Sequence, residues 1–322
     1  MKALRVVALL VLVAAAGTMA SACGGDGKTE ASVSAWSDMA ATFKPGVDPA
    51  SANACTRGDR GCLDLVRGEM QRRLKPLADS CDHDALFATM YLRMTERIID
   101  AYDEGRFKDP AATSHITAWF ATYYFRAYDD WHGGRPAAVP DAWRQAFEAA
   151  DDRTVRALGD LLLGMNAHVS RDLPFVVEDV LPGAQPVIDP DYALVNTLIA
   201  DLSPGVLREL ADQYDPSLFA AAVPLGLGGA TSVGELVTLW RTQSWERGNA
   251  IKAAKPADRG ALVAEVEEDA RSRAEAASTE LRLVPGLERT AQRDAYCKGR
   301  KYAARAGHGC YAVYPRACAT TA

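Results

Sequence analysis

His168 and Asp172 stand four residues apart in the stretch from Leu158 to Leu181, LGDLLLGMNAHVSRDLPFVVEDVL, the longest amphipathic run of the chain. On a helix that spacing puts an imidazole and a carboxylate one above the other on the same side. Such a pair suits two kinds of chemistry. It can supply two ligands to a divalent metal such as zinc, with His115 from an aromatic helix as the natural companion and a carboxylate from Asp109, Asp189 or Asp191 completing the set. Alternatively Asp172 orients His168 as a general base toward water or a substrate hydroxyl. No Gly-x-Ser-x-Gly nucleophile motif is present, and Ser170 is expected to point away from the pair. A third reading involves no chemistry: Asn166, His168 and Asp172 form a buried polar network that pins neighbouring helices. The catalytic candidates are therefore His168, Asp172, Asn166 and Arg126, and the metal candidates His168, Asp172 and His115. Arg126 enters as an anchor for a carboxylate or phosphate, or as the partner of Asp172 or Asp130.

The elements that must position these groups read as helix after helix. Leu158, Leu161, Leu162, Met165, Val169, Val176 and Val180 recur at three- and four-residue steps and make one apolar face. Pro174 has no N–H to offer the Ser170 carbonyl, so a kink or break is expected there. Helices are predicted over 63–77, 82–102 and 111–128, the last carrying Trp119, Phe120, Tyr123, Tyr124, Phe125 and Tyr128. Those rings suit either core packing or the wall of a pocket for a small apolar or lipid-like ligand. Asp141 caps a further helix, one runs from Asp189 or Asp191 to Asp201, and another from Ser203-Pro204 to Tyr214. Ser232 caps a helix to about Ala254, and a long charged one spans 256–281. The glycines between Leu225 and Ala230 lack the Lys-Ser/Thr of a phosphate loop and read as a surface turn. No alternating strand of useful length is visible. The fold class is all-α, a single multi-helix domain around a central kinked helix.

At Leu163-Gly164-Met165-Asn166-Ala167-His168-Val169, followed by Asp172-Leu173-Pro174, the chain resembles an uncharacterised, mainly actinobacterial family, the domains of unknown function numbered 5995. The resemblance extends through Met94-Thr95, Phe107 with Asp109-Pro110, Phe120 and Tyr124, Asp191 with Asn196, and Trp240-Arg241 to Trp245, over roughly residues 60 to 255. It implies no activity to carry over. The His-x3-Asp spacing alone is also similar to helices of zinc-dependent phospholipases C and related nucleases.

The ends of the chain differ from its middle. Lys2 and Arg5, an apolar run from Val6 to Ala16 and small residues up to Cys23 read as an export signal over 1–22, and Ala20-Ser21-Ala22-Cys23 resembles a bacterial lipoprotein site. The expected localisation is the outer face of the cytoplasmic membrane, tethered through lipidated Cys23, or secretion after ordinary cleavage. Residues 23–54 read as a flexible tether, with Trp36 to Phe43 as a docking helix. The helical domain then spans 55–288, and a basic Cys/Tyr-rich segment 289–322 packs on or near it. Six further cysteines, Cys55, Cys62, Cys81, Cys297, Cys310 and Cys318, imply disulfides in an oxidising compartment. Three lie at each end of the domain, so complete pairing needs a bridge between the two ends. From Arg289 onward there are seven basic residues against one acid, in a chain of net charge −6. That tail suits anionic lipid, wall polymer or nucleic acid, or the acidic body of its own domain, and no specific nucleic-acid binding is expected. Two functions follow: a metal-dependent or His/Asp-assisted hydrolase of envelope or lipid (phospho)esters, or a non-catalytic ligand-binding or envelope scaffold protein.

Overall fold

The computed structural model describes residues 36–185, 187–220, 230–283 and 289–300. The leader, Cys23, Cys310, Cys318, His308, most of the basic tail and the glycine-rich turn lie outside the described residues. The described chain is all-α. It runs through α1 (36–42), α2 (Ala54–Arg57), α3 (Arg60–Ser80), α4 (Ala85–Asp103), α5 (Pro110–His132) and α6 (Asp141–Asp151). It continues through α7 (Ala157–Asn166), a π-helical turn (Ala167–Asp172) and α8 (Leu173–Val180). α9 (Pro190–Gln213), α10 (Val233–Ala253), α11 (Pro256–Glu280) and α12 (Arg289–Arg300) complete it. Among the described residues the β component is a single isolated bridge between Val155 and Arg282.

The central helix is α7 with its π turn and α8, packed by α4, α5, α6, α10 and α11. The sequence suggested one apolar face; in fact all ten residues of α7 are buried. Neighbours on every side remove the need for a solvent face, which is why Leu161, Leu162 and Leu163 occur consecutively and are each fully enclosed. Gly164 is where Phe87 of α4 closes in: a Cβ there would lie 2.6 Å from the Phe87 Cγ, so only glycine permits this approach.

α9 corrects a second expectation. It is one helix through Pro204 rather than two, because Leu198, Ile199, Leu202, Val206 and Leu210 keep a single face buried across the proline. The Ser203 hydroxyl donates to the Ile199 carbonyl at 2.7 Å just before it.

The N-terminal part of the described chain is packed, not free. Trp36, Met39 and Phe43 are buried, with the Trp36 ring 5.0 Å from that of Phe125. Asn53 caps α2 and donates to the Met39 carbonyl. Cys55 and Cys62 form a disulfide that closes the turn at Arg57-Gly58-Asp59. Cys81 and Cys297 form a second, which joins the end of α3 to α12 across 216 residues. Beside it His83 sits between Asp294 and Arg293, and Arg293 donates to Asp160 at 2.5 Å, so α12 is held to the body by covalent and ionic links together. Two disulfides in one chain fit an oxidising, non-cytoplasmic compartment. Among the described residues no helix is long and apolar enough to cross a membrane.

Candidate functional site

Pro174 shapes the site without breaking the helix. The chain widens into a π turn just before it, with the Leu173 N–H reaching back five residues to the His168 carbonyl. In that register the next carbonyl, Val169, would face the nitrogen of Pro174, which carries no hydrogen. The Ser244 hydroxyl of α10 takes its place, 2.6 Å from the Val169 oxygen. Sequence reasoning pointed to the Ser170 carbonyl and a kink; the π register moves the vacancy by one residue and α10 fills it. α10 can come so close because it presents Gly248, where a Cβ would fall 2.6 Å from the Pro174 carbonyl.

The π turn presents His168. Its Nδ1 lies 3.2 Å from Asp172 Oδ2. The same oxygen accepts from the Trp143 indole at 2.8 Å, and Asp172 Oδ1 accepts from Arg171 at 3.0 Å. With the proton of a neutral imidazole on Nδ1, facing the carboxylate, Nε2 is an acceptor. Nε2 is buried and has no partner among the described residues. The ring stacks on Phe120, centroids 3.6 Å apart and planes within 5°, and lies 4.3 Å from the Tyr91 ring. Burial pushes the His168 pKa down; the hydrogen bond and charge of Asp172 oppose this, and the charge of Arg241 adds to it.

His168 forms part of the wall of a cavity of about 360 Å³, within the range of about 300–1,000 Å³ found for small-molecule sites. Phe87, Met90, Phe120, Leu173, Ile199 and Val237 give it an apolar lining. Val47, Asp109 and Pro182, all exposed, lie at its rim. Into this lining are set polar atoms that find no partner among the described residues: His168 Nε2, the Tyr91 and Thr95 hydroxyls, His115 Nε2 and the Trp245 indole nitrogen. Burial pushes the Tyr91 phenol well above its ordinary value, so it is a neutral donor and acceptor. Arg241 also faces the cavity, 6% exposed, with its guanidinium 4.3 Å from the centre of the Tyr192 ring.

The sequence candidates are only partly brought together. His168 and Asp172 pair as the spacing suggested. His115 reaches the same cavity, but its Nδ1 is engaged with the Cys55 carbonyl at 2.9 Å. Asp109 and Asp189 cap α5 and α9, and Asp191 accepts from the backbone of Lys108 and Asp109. Among the described residues no three His, Cys, Asp or Glu side chains converge to hold a metal ion. Asn166 lies outside the cavity wall and donates to the Ala270 carbonyl at 2.7 Å, tying α7 to α11. Arg126 is exposed and borders a different depression, beside Trp36 and Arg72. Arg171 holds the place beside Asp172 that the sequence offered to Arg126. Arg241 and Trp245 were missed as site residues; the signal for them was a cation and an indole four apart on α10.

Residues 63–280 match the model of a family of unknown function, DUF5995. The chain belongs to this family. The matched span holds α4 to α11 and with them almost the whole cavity wall, so the site is a feature of the DUF5995 region itself. Val47 lies before it. No curated protein and no solved structure matches the chain.

Proposed function

We propose that this DUF5995 protein binds a small, largely apolar molecule in the cavity beside His168. One observation carries the reading: the wall holds several buried polar atoms without partners among the described residues, a state that folded interiors avoid unless something else supplies the bond. A ligand with an apolar body and a few polar groups meets that need. The N-terminal pattern supports a lipoprotein anchored through Cys23 on the outer face of the membrane, where such a ligand would be collected from the envelope. A Cys23→Ala variant is expected to lose acyl labelling, and undiminished labelling removes the anchor.

The binding reading is tested with an environment-sensitive apolar fluorophore on the purified mature protein. Ile116→Trp puts bulk into the cavity from a half-buried wall position and is expected to weaken binding at least about tenfold while the thermal transition stays cooperative. Equal affinity in the variant, or none in the wild type, overturns it. A second reading has its own observation. His168 has Nδ1 on a carboxylate and Nε2 open as an acceptor, the arrangement of a general base, which supports a hydrolase of lipid or envelope esters. Turnover of acyl esters that vanishes in His168→Ala would favour it, and no turnover in the wild type would end it.

A further inference from the structure

Arg241 is unlike the other buried arginines among the described residues. Arg73 has Glu69 at 2.6 Å and Asp129 at 2.7 Å, Arg93 has Glu209 and Glu96 at 2.7 Å, and Arg293 has Asp160 at 2.5 Å. Arg241 has no carboxylate within ion-pair distance among the described residues. Its Nε donates to the Asn196 side-chain oxygen at 2.6 Å, and Tyr192 supports it from below, its ring under the guanidinium and its hydroxyl on the Arg241 carbonyl. The rest of its donor fork has no acceptor among the described residues. One turn along α10 the Trp245 indole lines the same cavity, and its N–H is also buried without an acceptor among the described residues. An indole N–H and a guanidinium can only donate, so what is missing is an acceptor, and beside an unpaired cation that acceptor is an anion.

We infer that Arg241, assisted by Trp245, anchors the carboxylate of a monoanionic long-chain ligand whose hydrocarbon fills the cavity. This rests on the binding reading above and names its ligand class. The apolar lining admits a chain rather than a sugar or a nucleotide. One guanidinium neutralises one charge with two parallel bonds, the geometry a carboxylate offers. A dianion is disfavoured: the other charged groups at the wall are the carboxylates of Asp109, Asp189 and Asp191, while burial keeps His115 and His168 neutral. The deep position of Arg241 sets the orientation, head group inward and tail along Phe120, Met94 and Ile116.

The experiment compares laurate, 1-dodecanol and dodecyl phosphate, below their aggregation limits at pH 8, on delipidated full-length mature protein by displacement of the apolar fluorophore. Laurate is expected to bind at least about tenfold more tightly than dodecanol, the scale of a charge-assisted hydrogen bond, and more tightly than the phosphate. In Arg241→Gln the preference for acid over alcohol should collapse to near one, and in Trp245→Phe it should fall about threefold. The wild-type comparison stands even where a variant folds poorly. Equal binding of acid and alcohol overturns the anchor and leaves the cavity reading intact. Binding of none of the three overturns both, and tighter binding of the phosphate overturns the carboxylate.

Discussion

Arg93 and Arg241 are both buried, and both lean on α9, but from opposite sides of Pro204. Beyond the proline, Glu209 gives Arg93 a bidentate partner, with Glu96 adding a third carboxylate oxygen at 2.7 Å. Before it, α9 offers Arg241 only the amide of Asn196 and the ring of Tyr192. Burial lowers the pKa of both arginines. At Arg93 the Glu209 hydrogen bonds and charge reverse the direction and raise it, whereas at Arg241 burial prevails and the pKa is lowered. The difference separates two uses of a buried cation. Compensated inside the protein, it is a strut between α4 and α9; left open beside an apolar cavity, it is half of a bond that a ligand completes.

The largest effect tests that contrast on stability. Arg93→Met leaves Glu209, itself 2% exposed, as an uncompensated buried anion and is expected to cost about 3–5 kcal/mol in denaturant unfolding. Arg241→Gln strands no anion, and its cost is expected to stay below about 1 kcal/mol. Equal losses in the two variants would break the comparison, because Arg241 would then be a structural strut as well.

A second pair sharpens it with neutral groups, at about 1–3 kcal/mol. Ser244→Ala leaves the Val169 carbonyl buried with neither Pro174 nor a hydroxyl to serve it, and should be destabilising by that amount. Tyr91→Phe deletes a hydroxyl that has no partner among the described residues to lose, so its unfolding free energy should be unchanged or slightly higher. Ser244 serves the carbonyl of the residue after His168 and Tyr91 packs against the His168 ring, and only the first completes the protein's own bonding. A marked loss in Tyr91→Phe would mean that the wall is held together by its polar atoms instead of offering them.

The contrast also marks how far the sequence could be read. The all-α class and the His168–Asp172 pairing followed from periodicity, because both are local: 3.6 residues per turn suffice to place them. A bridge between the ends of the domain followed from the placement of the cysteines, and Cys81–Cys297 supplies it. Arg126 was misjudged by a local error as well. Phe120 and Tyr124 are four apart and face inward, and a residue two beyond Tyr124 is turned by about 200° to the outside. The π turn was not legible, since Pro174 announces a missing donor but not that Ser244, 74 residues beyond Ser170, would supply one. Nor was the isolation of Arg241, which consists in no carboxylate of the described residues coming within ion-pair distance of it. Glu235 and Glu246 lie close to it in the chain, but helical spacing puts neither beside its guanidinium, and only the folded arrangement shows that no other described helix brings one within ion-pair distance.

The smallest effect tests whether the cavity side of the molecule excludes charge at all. Burial holds the His168 pKa below its ordinary value of about 6.5, against the pull of Asp172. Below about pH 6.5 the unfolded chain therefore takes up a proton there that the folded protein refuses, and stability should fall as pH falls toward the folded pKa. His115, also held low by burial, contributes in the same direction, while His132, raised by Asp84 despite burial, works against it. The slope of the wild type alone is thus a sum over histidines. The difference between wild type and His168→Asn isolates one, and it should shrink by up to about 1.4 kcal/mol per pH unit between pH 6.5 and 5.5. A difference that stays constant with pH would mean that folded His168 protonates as easily as the unfolded one. Asp172 would then be compensating it as Glu209 compensates Arg93, and the two sides of Pro204 would no longer differ in kind.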